Sequence, residues 1–282
     1  MKPILKYRGG KSKELSSIKP YIPKFSGRYI EPFLGGGALY FDLAYKNSLI
    51  NDINPKLIEF YTNLKNHPAL VREELNTLQT EYEKNRAKFD ELKQITPTER
   101  VEDLNEELYY KIRAMFNQDS LAEFNPATIY FFINKTAYSG MIRYNAQGKF
   151  NVPYGRYKNF NTALITDEHI ELLSQTDIYC LDYKEIFDMA GTDDFIFLDP
   201  PYDCVFNDYG NIEMDDGFNE TMHRQLASDF KNLSAKALMV IGKTPLTEEL
   251  YGRFIVHEYD KSYAVNIRNR FKSASQHILI RN

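Results

Sequence analysis

The sequence predicts a mixed α/β protein built on one mainly parallel sheet, with a largely helical insertion that carries a β-hairpin. Three observations carry this expectation. A short apolar run, Asp194-Phe195-Ile196-Phe197-Leu198, stops abruptly at Asp199-Pro200-Pro201-Tyr202. Near the N-terminus a strand, a glycine-rich turn and an amphipathic helix follow one another, and a second acid-ended strand comes about twenty residues later. From Pro55 to Lys111 the apolar spacing turns to threes and fours, the period of a helix.

Taken in order, the chain starts with Lys6-Tyr7-Arg8-Gly9-Gly10-Lys11 and a helical stretch from Ser12 to Lys19. Two glycines between basic residues can turn backbone N–H groups toward an anion, although an ordinary turn accounts for them equally well. Tyr29 and Ile30 then form a strand that leads into Glu31-Pro32-Phe33-Leu34-Gly35-Gly36-Gly37 and a helix over Ala38–Ala44. This is how nucleotide-like cofactors are received in doubly wound sheets, at a helix N-terminus. The turn does not match G-x-G-x-x-G, which disfavours NAD. The strand Ser48–Asp52 ends on an acid placed to grip ribose hydroxyls, or else to cap the helix that begins near Pro55.

Leu57, Ile58, Tyr61 and Leu64, then Leu75, Leu78 and Tyr82, continue at helical spacing, with Pro68 and Pro97 as breaks. The charged run Glu73–Glu107 needs no more than a solvated helix face. Beyond the insertion the α/β pattern resumes: a strand from Asp177 to an acid at Asp182, a helix over Lys184–Ala190, and the central Asp194–Leu198 strand. A loop Asp203–Asp216, a helix Asn219–Leu233, a strand Ala237–Gly242 and a closing pair near Arg253–Tyr259 and Gln276–Ile280 complete it. The resulting division is 1–56 with 161–282 as one unit and 57–160 as the insertion.

Composition bounds the function. Apolar residues make up 43% and charged residues 26% of 282, as in ordinary globular proteins. The net charge of −4 is no signature of a nucleic-acid binder, but its distribution is uneven. Phe124 to Thr166 holds no acid while it holds Lys135, Arg143, Lys149, Arg156 and Lys158; the tail after Asp260 is acid-free as well. Within 130–158 basic, aromatic and amide side chains interleave with glycine turns, which suits a nucleic-acid surface. A plain β-hairpin with core aromatics, Phe131 and Phe132 among them, is the competing reading. The two cysteines and five dispersed histidines fit neither a disulfide framework nor a metal centre. The absence of a signal-like or membrane-length apolar segment predicts a cytoplasmic location.

The tetrapeptide suits one kind of chemistry. Two prolines end a buried strand and fix the direction of the Pro200 carbonyl. An exocyclic amine on a base is a poor nucleophile because its lone pair is delocalised. Asp199 and that carbonyl can accept its two hydrogens and draw the nitrogen toward tetrahedral geometry, while Tyr202 offers a face for an extruded base. Such an amine needs an electrophile, so the chain is expected to hold a cofactor.

Lys6-Tyr7-Arg8-Gly9-Gly10-Lys11, Glu31 to Gly37, Phe150-Asn151-Val152-Pro153-Tyr154-Gly155-Arg156-Tyr157 and Asp199-Pro200-Pro201-Tyr202 stand in an order that resembles the Dam-like (alpha-group) DNA adenine-N6 methyltransferase family. The likeness covers nearly the whole chain. It implies a Rossmann-like methyltransferase sheet, S-adenosyl-L-methionine as methyl donor, and a monomer that flips adenine out of double-stranded DNA without a metal. Asp199, Pro200 and Tyr202 would be catalytic. Tyr7, Lys11, Phe33, Gly35, Asp52, Asp182, Tyr183 and Asp199 would surround the cofactor. Lys6, Tyr138, Met141, Arg143, Asn151, Pro153, Arg156 and Tyr157 would meet DNA, with Arg143 reading a guanine and Tyr138 intercalating. The implied target is GATC or another GAT-containing site, as in the modification half of restriction–modification systems. The chain departs from the pattern at Tyr138-Ser139-Gly140, where many relatives carry an aromatic-Asn-Gly triplet, and in the loop after Tyr202.

Two other classes compete. A catalytically silent DNA-binding protein on the same scaffold would have no need of an intact Asp199-Pro200-Pro201-Tyr202 beside Asp52. An RNA or protein-amide methyltransferase usually shows Asn in place of Asp199.

Overall fold

A computed structural model describes residues 1–140, 142–202, 218–261 and 275–282. The expected Met141 contact, the loop Asp203–Asp216 and most of the basic tail lie outside the described residues.

Seven strands form one sheet: β1 (Tyr29–Glu31), β2 (Ser48–Asn51), β3 (Thr176–Tyr179), β4 (Phe195–Leu198), β5 (Lys236–Gly242), β6 (Ile255–Lys261) and β7 (Ser275–Arg281), in the order β3-β2-β1-β4-β5-β7-β6. The first five run parallel, and β7 is antiparallel to both β5 and β6. β1, β2 and β4 are buried along their whole length, as strands covered on both faces must be. From β1 the chain winds one way through β2 and β3, and from β4 the other way to β5. The carboxyl ends of β1 and β4 are therefore adjacent at the point where winding reverses, where open α/β sheets form a crevice.

Helices α1 (Leu15–Ile18) and α2 (Ala38–Leu43) flank β1, followed by α3 (Pro55–Asn66), α4 (Pro68–Ile95), α5 (Leu104–Phe116) and α6 (Pro126–Thr136) between β2 and β3. Four more follow: α7 (Asp167–Ser174), α8 (Tyr183–Asp188), α9 (Glu220–Asn232) and α10 (Pro245–Tyr251). Local chemistry explains the starts. Asn54, Asp103, Asn125, Asp182 and Asn219 each accept a backbone N–H as N-cap, and Pro occupies the first turn of α3, α4, α6 and α10.

One correction concerns 130–136. Read as part of a hairpin, Phe131 and Phe132 instead lie inside α6, whose residues Ala127–Asn134 are all buried. A continuous apolar run looks alike as a strand or an enclosed helix; the Asn125-Pro126 cap was the distinguishing signal. After α6 the chain goes out and back through two isolated antiparallel bridges, Ala137 with Tyr154 and Tyr144 with Phe150, with no ladder between them among the described residues.

The buried residues of α3–α6 (Phe60, Leu75, Tyr109, Phe131) belong to the same apolar cluster as Leu39, Ile50 and Phe197 on one face of the sheet. The helical segment thus shares the core of the sheet. Phe60→Ala, at a position with no exposure, is expected to cost about 3–5 kcal/mol. Chemical denaturation followed by fluorescence and by circular dichroism should still show one coincident transition.

Candidate functional site

The carboxyl ends of β1, β2, β3 and β4 border a cleft of about 950 Å³, open at its mouth. Tyr7, Lys11, Phe33, Gly35, Asp52, Asp182, Tyr183, Asp199, Pro200 and Tyr202 all line it. They come from five segments, the N-terminal stretch and the turns after β1, β2, β3 and β4, and the parallel winding of the sheet brings the four turns together.

On the floor, Lys11 Nζ lies 2.7 Å from both oxygens of Asp199 and donates to the Gly9 carbonyl at 2.7 Å. Lys11 is 3% exposed and Asp199 21%. The same ammonium stands 4.9 Å from the centroid of the Tyr202 ring. Partial burial pushes the Asp199 carboxyl above the usual range, and the Lys11 charge opposes this. Beside it, Glu31 is enclosed and accepts a hydrogen bond from Tyr29 Oη at 2.7 Å. Burial pushes Glu31 up to about 8, against the Tyr29 bond and with the Asp199 charge. Glu31 is thus mostly neutral at pH 7.

On one wall, Asp52 accepts from Gly35 N at Oδ2 and from Asn54 N at Oδ1, both 2.9 Å. It does not cap α3; Asn54 does. Each carboxylate oxygen keeps a second lone pair for a hydroxyl donor. The glycine turn has a tighter reason than open space. Gly35 has φ +49°, and a Cβ there would come within 3.1 Å of the Tyr7 ring, while one at Gly36 would come within 3.0 Å of the Tyr7 Cβ. Tyr7 is packed on the turn itself.

The opposite wall is aromatic. Phe33 lies 5.5 Å from Tyr183 and edge-on to Phe218 at 6.3 Å, and Tyr183 is fixed by its hydroxyl donating to Asp229 at 2.8 Å. Asp182 caps α8 through Lys184 N at 2.9 Å while also facing the cleft.

Asn51 was not singled out by the sequence. Its side chain donates to Pro32 O at 2.9 Å and Leu181 O at 3.0 Å and accepts from Leu181 N at 2.9 Å. It ties three cleft-forming turns together. A buried amide at the last position of a strand, before the acid of Asp52, was the available clue.

The residues expected to meet DNA are brought near this cleft in part. Lys6 Nζ stands 4.7 Å over the Tyr157 ring, and the Lys6 backbone pairs reciprocally with the Asn134 side chain at 3.0 and 2.8 Å. Arg143 Nε donates to Asn151 Oδ1 at 3.3 Å, and both are exposed. Tyr138 is 55% exposed, and its amide donates to Pro153 O at 2.9 Å. Arg156 pairs with Glu106 at 3.1 Å, and Lys149 with Asp119. The acid-free stretch thus borrows its acids from elsewhere in the chain. Lys135 turns inward and donates to Ile4 O at 2.5 Å. Among the described residues no cluster of three or more His, Cys, Asp or Glu side chains is gathered as a metal site, and no helix is long and apolar enough to cross a membrane.

Comparison with known proteins agrees with this geometry. The family described as D12 class N6 adenine-specific DNA methyltransferase matches residues 7–265. The chain is 34% identical over 273 residues to the type II methyltransferase M.CviBI of Paramecium bursaria Chlorella virus NC1A, covering 95% of this chain and 94% of that protein. It is 31% identical to the type II methyltransferase M.MjaIII of Methanocaldococcus jannaschii, over 90% and 87% of the two chains. It is 30% identical to the retron Ec67 DNA adenine methylase of Escherichia coli, over 99% and 91%.

The Lys11–Asp199 pair has a measurable consequence. Because the cation favours the charged carboxylate, Lys11→Met should move the Asp199 titration to higher pH, as read by carboxyl ¹³C NMR of the free protein. An unmoved midpoint would mean the pair does not exist in solution.

Proposed function

Because the chain belongs to the D12 class of N6 adenine-specific DNA methyltransferases, and so is a site-specific enzyme acting on adenine in DNA, we propose how its cleft performs that reaction. The single observation that carries the reading is Asp199-Pro200-Pro201-Tyr202 at the floor of the cleft, with its carboxylate held by Lys11.

S-adenosyl-L-methionine supplies, when bound, an electrophilic methyl group on a sulfonium sulfur. The residues of the cleft fit it. Asp52 presents two half-satisfied carboxylate oxygens suited to a ribose diol. Phe33 and Tyr183 form an apolar wall suited to a flat base, with Asp182 at its edge. Tyr7 and Gly35 close the middle of the cleft, and Lys11 and Asp199 place opposite charges at its end.

At that end Asp199 and the Pro200 carbonyl accept the two hydrogens of the adenine N6 amine, and the Tyr202 ring carries the extruded base. That would free the nitrogen lone pair from the ring and aim it at the methyl group, whose bond to the sulfonium sulfur would break, leaving its electron pair on sulfur, as the N–C bond forms. Asp199 works as an oriented acceptor, since the alkylated nitrogen loses its proton readily. A mostly neutral Glu31 keeps a second negative charge away from Asp199.

Target recognition is assigned to 57–160, with the turn segment after α6 facing DNA. Arg143, held by Asn151, is placed to read a guanine bidentately. Tyr138 is exposed enough to wedge between bases. Lys6 on Tyr157, with Pro153 nearby, borders the first base. Arg156 is engaged by Glu106 in an exposed pair, worth about 0–1 kcal/mol, which a phosphate can replace. We assign Met141 to the same surface by the family resemblance. GATC or another GAT-containing site is the proposed target. Modification alongside a restriction enzyme is supported by the type II relatives. The protein is proposed to work as a cytoplasmic monomer without a metal.

Asp199→Ala should abolish N6-methyladenine formation on duplex DNA while S-adenosyl-L-methionine still binds by calorimetry; retained activity would remove the catalytic assignment. Arg143→Ala should lower discrimination at one base of the site by about 1–3 kcal/mol, read by methylation of a random-sequence duplex library. A uniform loss over all sequences would reduce Arg143 to a phosphate contact.

A further inference from the structure

Behind the catalytic tetrapeptide lies a buried polar cluster that the reaction described above does not use. Glu14, 5% exposed, comes one turn after Lys11, with its amide donating to the Lys11 carbonyl at 2.8 Å. Its Oε2 is 2.6 Å from His277 Nδ1 and accepts from Tyr259 Oη at 2.8 Å; its Oε1 pairs with Lys261. His277, on β7, has no exposure. Its ring stands edge-on to Tyr202 at 5.1 Å and to Tyr259 at 5.7 Å.

The same short N-terminal segment therefore reaches both sides of the tetrapeptide. Lys11 grips Asp199 and faces the Tyr202 ring, while Glu14 grips the histidine on which that ring leans. A buried ion-pair cluster is a poor device for stability alone, since desolvation offsets most of the attraction. Its position offers another use.

We propose that Glu14 and His277 are positioning residues of the methyl transfer: Glu14 fixes the imidazole that orients Tyr202, and its charge sets the field at Asp199. The inference rests on the reading of Asp199 and Tyr202 as the groups that receive the target amine and base. Burial pushes the Glu14 carboxyl up, but bonds from His277 and Lys261 outweigh it and bring it to about 2. Glu14 is anionic throughout the working range. Among the described residues the ionisable groups that act on Asp199 are Lys11 and Glu14 from the N-terminal segment, His277 from β7 and Glu31 from β1. Those that act on Glu14 are Lys11, His277, Lys261 and Tyr259.

The sign follows. A nearby anion raises the pKa of a carboxyl, so neutralising Glu14 lowers that of Asp199. In Glu14→Gln the Asp199 midpoint, read by carboxyl ¹³C NMR of the free protein, should move to lower pH. That is the opposite direction from Lys11→Met. A role confined to packing would leave it in place. The same variant should lose about 10-fold to 100-fold in kcat, the scale of a misplaced reacting group, with affinity for S-adenosyl-L-methionine unchanged by calorimetry. If Glu14→Gln does not fold, His277→Gln is read instead. It removes the imidazole of β7 that acts on Asp199 to lower its pKa, and should move the midpoint upward.

An unmoved midpoint, or an unchanged kcat in an enzyme whose Asp199→Ala variant is dead, overturns the assignment. An active Asp199→Ala variant would instead bring down the catalytic reading, while the NMR comparison would still decide whether Glu14 acts on Asp199.

Discussion

The contact on which the site depends is the ion pair between Lys11 and Asp199. A carboxylate drawn into a cleft floor is driven toward its neutral form unless a cation or donor holds it. Lys11 supplies that cation from a segment 188 residues away in the chain. The ammonium is itself 3% exposed, so it too is tolerated only because Asp199, the Gly9 carbonyl and the Tyr202 ring surround it. Each charge is the reason the other can be there.

The N-terminal segment carries this arrangement across the molecule. Lys6 is bound to Asn134 of α6 and stacked on Tyr157. Tyr7 packs against the Gly35-Gly36 turn, Lys11 holds Asp199, and Glu14 reaches β6 and β7. Four parts of the fold that the chain order keeps apart meet along about ten residues. The turn segment after α6 is therefore joined to the floor of the cleft through packed side chains of this one segment.

Electrostatics divides the carboxyl groups of the cleft by environment. Asp52 is buried yet receives two backbone N–H groups, Glu31 is buried with a phenol and becomes neutral, and Asp199 has a cation. Three acids at three strand ends thus sit in three different environments, set by desolvation and by the donors each one receives.

Much of this was legible in the residues. Strands had to end at Asp52 and Asp199-Pro200, because an acid and a proline pair cannot continue a buried ladder, and the glycine turn between Glu31 and Ala38 had to be a sharp one. The residue types at Asp52, Asp199 and Tyr202 also pointed to the chemistry, since their donors, acceptors and faces are intrinsic. Other features required the fold. Phe131 and Phe132 read as strand because an enclosed helix has no polar face to set its period. The acid-free stretch read as uncompensated charge because Glu106 and Asp119 reach Arg156 and Lys149 only through tertiary packing. Glu14 and His277 carried no local signal, since they meet across 263 residues, and Asn51 carried only its place at a strand end, its partners lying 19 and 130 residues away. Local sequence determined where each strand stops and what each turn can do. Only the winding of the sheet, which reverses between β1 and β4, decided which turns face one another and so which charges meet.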